Sequence, residues 1–321
     1  MMDDTKLKHA YCIIAHGDPD LLKTLIVSID DARNDIFLEI DKKSDINLFK
    51  GIIPKHANLY FAERIDARWG DISLISAEFS VFECAFSHGP YLIYHLLSGV
   101  DLPIKSQDYI HSFIEQHPNT EFMSFSFDEA NQTDIEAKTR YYHFFTRYFR
   151  HSNSILSTLS FYLLAFLRRI QKIVGVRRHY PVRLCKGDQW CSITNELCKY
   201  MLSKRKEILS MFKYTFCCDE MFLQTIVWNS EFMKRVYINQ DNNYSSLREL
   251  DWERGIPYIW GSAENEEEYK KDVERLKSST ALFARKFSTK YKLIINDVDA
   301  ICKCGNKAFD YSTPSQRLNE T

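Results

Sequence analysis

The stretch Tyr91-Leu-Ile-Tyr-His-Leu-Leu-Ser-Gly-Val-Asp-Leu-Pro-Ile-Lys105 decides the fold. Residues 91–97 are an apolar and aromatic run of strand length, and it stops abruptly at Ser98-Gly99, a lone Asp101 and Pro103. A run that is apolar on both faces belongs to a parallel sheet covered by helices on each side. In such open α/β sheets ligands sit outside the carboxyl ends of the strands, so the small and polar residues that end this run are site candidates.

The surrounding sequence alternates strand and helix signals, as a parallel sheet with crossover helices requires. Residues 11–15 read as a first strand, and Asp18-Pro19 as the cap and first turn of a helix reaching residue 29. Residues 36–40 form a second strand ending at Asp41, and 59–62 a short third. A helix over 73–86 then leads into 91–97, the expected central strand, followed by a helix over 107–116 and a strand over 121–124. Past residue 187 the pattern resumes with a strand over 189–193, helices over 195–209 and 219–229, a loop over 247–258 and a charged surface helix over 264–277. The expected fold is α/β, with a mostly parallel central sheet flanked by helices. It forms one domain over 1–311, carrying a helical insertion at 137–187 and a disordered tail at 312–321.

With 321 residues and 45% hydrophobic content, the chain can bury a sizeable core. A formal charge of −1 excludes nucleic-acid binding through an overall field. Residues 1–8 lead straight into strand-like sequence without the order of a secretory leader, so the expected location is cytoplasmic. The nine cysteines are scattered and read as free thiols, several of them buried. Cys302-Lys-Cys304 lacks both the two-residue gap and the second pair of a zinc knuckle.

The insertion carries the one strong charge asymmetry. Residues 137–187 hold no acidic side chain, while Lys138, Arg140, Arg147, Arg150, Arg168, Arg169, Lys172, Arg177, Arg178, Arg183 and Lys186 are basic. Residues 155–176 have helical length and apolar density, but Ser157, Ser160 and Arg168-Arg169 leave the apolar run too short to span a bilayer. Two readings stand. Residues 140–178 lie on an anionic membrane surface, on its inner face for a cytoplasmic chain, or they form an amphipathic lid packed on the sheet, with Arg140 or Arg147 reaching a bound acceptor.

Five blocks in order carry a family resemblance: Tyr11-Cys-Ile-Ile-Ala-His16, Ile40-Asp-Lys-Lys-Ser44, the 91–105 stretch, Cys218-Asp-Glu220 and Ala281-Leu-Phe-Ala-Arg-Lys-Phe287. Together they resemble the core-2/I-branching β-1,6-N-acetylglucosaminyltransferases and the related peptide O-xylosyltransferases. The resemblance covers residues 10–287, closest at 64–105 and weakest at 131–180, where the insertion departs from the animal enzymes in the manner of a bacterial-type member. It implies a GT-A-like nucleotide-sugar-binding fold and inverting transfer from a UDP-sugar to a hydroxyl of a glycan or lipid-linked glycan. N-acetylglucosamine is the leading donor sugar and xylose the second. A catalytically silent glycan- or nucleotide-binding module is the alternative class. A dehydrogenase would want a Gly-rich turn that Ala15-His-Gly-Asp-Pro19 lacks.

Sugar transfer needs a base for the acceptor hydroxyl, positive charge for the departing diphosphate and a pocket for the nucleotide. The resemblance makes Glu220 the base and Asp219 the cap of the following helix, whose N-terminus favours an ionised carboxylate; either could equally be a cap alone. Asp18-Pro-Asp20 and Asp297-Val-Asp299 lie away from the donor position and read as capping or chance, while Gly99-Val-Asp101 stands where a metal-binding triplet would end the central strand. The resemblance therefore implies no metal and no other cofactor. It assigns Arg248 and Lys286 to the diphosphate, with Arg285 and Arg254 as alternatives. For the rest of the donor it points to His16, Asp41, Asp101 and Trp69, although His16 also fits a structural hydrogen bond and Trp69 the core. Asp188, Trp190 and Trp252 are the acceptor candidates, because aromatic faces stack on sugar rings and carboxylates bind hydroxyls; core packing accounts as well for either Trp.

Overall fold

The computed structural model describes residues 7–149, 154–239, 245–255 and 257–304; the expected tail at 312–321 lies outside them. The chain runs β1 (His9–Ala15), α1 (Pro19–Ser28), β2 (Asn34–Ile40), β3 (Asn58–Phe61), α2 (Ser73–His88), β4 (Ile93–Ser98), β5 (Asp101–Pro103), α3 (Gln107–Gln116), α4 (Glu129–Thr139) and α5 (Ser154–Ile173). It continues with β6 (Ser192–Thr194), α6 (Asn195–Ser203), α7 (Arg205–Phe212), α8 (Phe222–Trp228), β7 (Arg248–Glu249), α9 (Glu266–Ser278), β8 (Phe283–Arg285) and α10 (Lys292–Cys304).

The main sheet has the order β3-β2-β1-β4-β6, with β1 to β4 parallel and β6 antiparallel to β4. The middle strand is thus β1. The 91–97 run lies beside it, as β4, because its outer edge takes only the short β6. Side chains of β1 alternate between two cores: Tyr11, Ile13 and Ala15 pack on the face with α1, α3 and α10, and Ala10 and Cys12 on the face with α2, α6 and α8. Burial on both faces is why these strands read as continuous apolar runs. A second sheet, β5-β8-β7, sits past the end of β4 and pairs Asp101 with Arg285.

Some expected elements come out differently. Residues 121–124 make only isolated bridges, Glu121 with Val236 and Phe122 with Ser192, and the buried Glu121 carboxylate accepts from the backbone N–H (2.8 Å) and hydroxyl (2.6 Å) of Thr194. The helix expected over 195–209 breaks at Lys204, whose ψ of 3° leaves the helical region, into α6 and α7. Asp18 caps α1 as expected, accepting from Leu21 N.

Polar groups are buried with the sheet. His95 meets His9 at 3.2 Å and Ser192 Oγ at 2.7 Å, and burial holds both imidazoles well below their ordinary pKa. Glu39, fully buried in β2, accepts from Ile65 N at 2.7 Å, and burial raises its pKa from 4.5 to about 7. Between those values the folded chain keeps a proton that the unfolded chain releases, so this group's contribution to stability falls as pH rises through that window. Glu39→Gln mimics the protonated acid. Relative to wild type it should gain stability between pH 5 and pH 8, by up to about 3 kcal/mol, in urea unfolding at the two pH values. A constant difference would contradict the buried-acid account.

Candidate active site

Three parallel strands stop together. The N–H of Asp41 donates to Ala15 O at 2.8 Å, that of Gly99 to Ile14 O at 2.9 Å, and the Ser44 hydroxyl to His16 O at 2.6 Å. Strand order reverses direction at β1 and β4, and there a ligand crevice opens in sheets of this type. Gly99 is required at that point, since a Cβ would stand 2.8 Å from the Cβ of Ala15. Arg64 ties down the loop after β2, donating to the carbonyls of Ile40 (3.0 Å), Asp41 (2.9 Å), Lys42 (3.2 Å) and Ser44 (2.5 Å). The buried Asp41 carboxylate accepts from Lys43 N at 2.8 Å and Lys43 Nζ at 2.6 Å. His16 stands at the crevice mouth. Desolvation lowers its pKa, Lys286, Lys43 and Arg285 act the same way, and Asp41 opposes them.

Past β4, the buried Asp101 accepts from Ser98 N at 2.8 Å and Ser98 Oγ at 2.9 Å, and from Arg285 Nη1 at 2.8 Å. The same Arg285 nitrogen contacts Ser98 Oγ, and its guanidinium lies 4.2 Å over the ring of Trp190. Lys286 is half-buried beside it. Burial lowers its pKa, Arg285 adds to the lowering and Asp101 counters it, so an anion here relieves a crowding of positive charge. Asp101 therefore buttresses the cations.

Across the site, Glu220 ends a tight 3-10 turn, Cys218–Glu220, ahead of α8. Neither carboxylate caps that helix, which starts at Phe222 with no side-chain cap. This corrects the expected role of Asp219. Charge on Glu220 is balanced instead by two ammonium groups, Lys138 Nζ at 3.2 Å and Lys186 Nζ at 3.6 Å, both on Oε2. Asp134 joins them, 2.7 Å from Lys138 and 2.6 Å from Lys186. Burial opposes the charge on Lys138, but Glu220 and Asp134 prevail and raise its pKa. Beneath, burial and the neighbouring Glu220 lift Asp219 to about 7. Burial and then Asp219 push the Glu78 acid well up, although Gln189 donates to it at 2.9 Å. Asp188 is raised by burial, with the nearby Glu220 acting in the same direction and Ser124 against it.

The remaining candidates scatter. Arg248 is buried: its guanidinium donates to Ser192 Oγ (2.9 Å) and to the carbonyls of Ser246 (2.5 Å), Leu96 (2.9 Å) and Cys191 (2.7 Å), and burial lowers its pKa to about 10. It staples β4 and the residues before β6 to β7. Arg254 is engaged by Asp251 and Asp272 at 2.7 and 2.8 Å. Trp190 is buried under Arg285, Trp252 is exposed on the loop after β7, and Trp69 packs 5.6 Å from Phe149 and 5.3 Å from Phe216. Both Asp-x-Asp triplets are engaged structurally: Asp18 also accepts from Thr289 Oγ1 at 2.9 Å, and Asp297 from Tyr269 at 2.6 Å.

A family model for the Core-2/I-Branching enzyme matches residues 9–277. The chain belongs to the Core-2/I-branching enzyme family. It is a glycosyltransferase with the expected α/β fold, taking a nucleotide-sugar donor and a glycan acceptor. No curated protein matches the sequence. Among solved structures, mouse xyloside xylosyltransferase 1 in its apo form is similar at 8% identity with a TM-score of 0.36, covering 88% of this chain and 99% of that one. Among the described residues of this Core-2/I-branching family member, no helix is long and apolar enough to cross a membrane.

Sequence reading passed over the grip of Lys138 and Lys186 on Glu220, because both sit in the basic insertion with many look-alikes; the Asp134–Lys138 spacing on one helix face was the available signal. Gly187 makes that grip possible. Its N–H donates to Glu220 O at 3.0 Å, and a Cβ would stand 2.0 Å from Ser124 O. Gly187→Ala should therefore cost about 1–3 kcal/mol of stability by overpacking. Gly51→Ala, with nothing within 4 Å of its Cβ position, is the matched control. Equal urea midpoints for the two variants would show that the backbone does not approach so closely.

Proposed function

We propose that this enzyme transfers a sugar, N-acetylglucosamine by preference, from its UDP donor to a glycan hydroxyl with inversion and without a metal ion, forming a β-linkage in glycan or surface-polysaccharide synthesis. The observation that carries this reading is Glu220: a carboxylate 37% exposed, with both lysine contacts on Oε2. Its Oε1 takes the proton of the acceptor hydroxyl. The hydroxyl oxygen attacks the anomeric carbon from the face opposite the diphosphate, and the carbon–oxygen bond to UDP breaks with its electron pair leaving on the phosphate. Cations aimed at that developing charge stabilise the transition state.

Lys286 supplies one cation. The second is Arg285, in place of Arg248, whose guanidinium is already bonded to four protein oxygens. His16 and Asp41, at the ends of β1 and β2, hold the nucleoside, and the wall near Trp69 closes the donor side. Asp188, next to Glu220, receives acceptor hydroxyls. The family match and the meeting of cations at the ends of parallel strands support this assignment; UDP-xylose is the second donor.

Thermal unfolding with a panel of UDP-sugars in EDTA tests the donor half. One UDP-sugar should raise Tm by several degrees without metal, and Lys286→Ala should remove that shift. A shift that needs Mn²⁺ would overturn the metal-free reading. Glu220→Gln should keep the donor shift while losing about 10²- to 10⁴-fold in kcat with the same donor. Undiminished turnover in that variant would remove Glu220 from the role of base, and a donor shift with no turnover on any glycan in the wild type would favour a binding module.

A further inference from the structure

Helix α5 leaves uncovered an apolar stripe that a lid packed on the sheet would bury. Its buried residues are Ser160 and Gln171. Gln171 fastens the helix, accepting from Tyr142 N at 2.8 Å and donating to Tyr142 O at 2.9 Å. Just beyond the helix, Arg178 donates to Met211 O at 2.7 Å and Tyr214 O at 2.8 Å. These polar contacts, with the half-buried Leu163, Leu164 and Leu167, hold α5 on the protein. Its apolar stripe, Leu159, Tyr162, Phe166, Ile170 and Ile173, spaced three and four apart, points to solvent with exposures from 38% to 78%.

The cations have a matching arrangement. Arg168, Arg169 and Lys172 fall on one flank of the helix, between the buried face and the apolar stripe. With Arg140 they line a 760 Å³ groove whose walls include Phe161 and Phe216. Residues 137–187 carry eleven basic side chains and no acidic one. A second copy docked face to face would bring these like charges together. An apolar stripe beside a basic flank, on a helix too polar to span, is the form that lies in a lipid headgroup layer.

We propose that α5 docks the enzyme on an anionic membrane surface, its apolar stripe in the acyl boundary and Arg168, Arg169 and Lys172 on lipid phosphates. Docking stands on α5 alone and does not depend on the transfer chemistry. It has a consequence for that chemistry. Phe149 lies 6.5 Å from Phe161 on α5, 5.6 Å from Trp69 and 5.2 Å from Phe216, so the docked face adjoins the wall near Trp69 and the segment leading into the turn that carries Glu220.

Flotation of the full chain with phosphatidylcholine vesicles, with and without phosphatidylglycerol, tests the proposal, with no sugar present. Wild type should float with the anionic vesicles at low salt and progressively less as salt rises. Phe166→Ser/Ile173→Ser and Arg168→Gln/Arg169→Gln should each lower the bound fraction about tenfold or more. Unchanged thermal unfolding would show that both variants are folded, as their exposed positions require. Wild type left at the bottom of the gradient overturns the proposal. So do variants that float as well as wild type, equal binding to neutral vesicles, or a dimer in light scattering that Phe166→Ser/Ile173→Ser dissolves.

Discussion

The pairing of β1 with β2 on one edge and β4 on the other is the constraint from which the site follows. It brings Ala15, Ile40 and Ser98 to one line and leaves the polar residues after each, His16, Asp41 and Asp101, around a single crevice. Slipping either strand by one residue would exchange its two faces between the cores, so burial on both sides fixes the register and with it the alignment of those ends. The site is thus precise because the core is.

Charge in the crevice is arranged by the second sheet. β8 delivers Arg285 and Lys286 together, and Asp101, at the start of β5, holds the arginine through a buried ion pair. One carboxylate cannot balance two cations in a desolvated setting, and the surplus positive charge is what a diphosphate leaving group needs. Around Glu220 the sign is reversed: Glu78, Asp219 and Glu220 crowd together, burial raises the pKa of the two buried acids, and Glu220 meets Lys138 and Lys186.

The insertion joins these two functions. Lys138 on α4 reaches the carboxylate of Glu220, while α5, further along the same insertion, turns its apolar stripe outward. One element thus holds Glu220 at one end and presents a basic, apolar face at the other.

Much of this was legible in the sequence. Doubly buried strands read as unbroken apolar runs, Asp18-Pro19 as a helix start, and the ordered motifs as those of the Core-2/I-branching family. The structure makes four distinctions that one sequence could not. It places Arg248 in the core and Arg285 at the crevice, assigns Lys138 and Lys186 out of many insertion cations to Glu220, leaves α8 without an acidic cap, and turns the apolar side of α5 to solvent. The physical reason is common to all four. Apolar period and local caps depend on neighbours a few residues away and are written in the chain itself. Which oxygens surround a guanidinium, or which face of a helix meets the protein, depends on residues far away in the chain, as in the bond from Arg248 to Leu96 across 152 residues. Only folding brings those together.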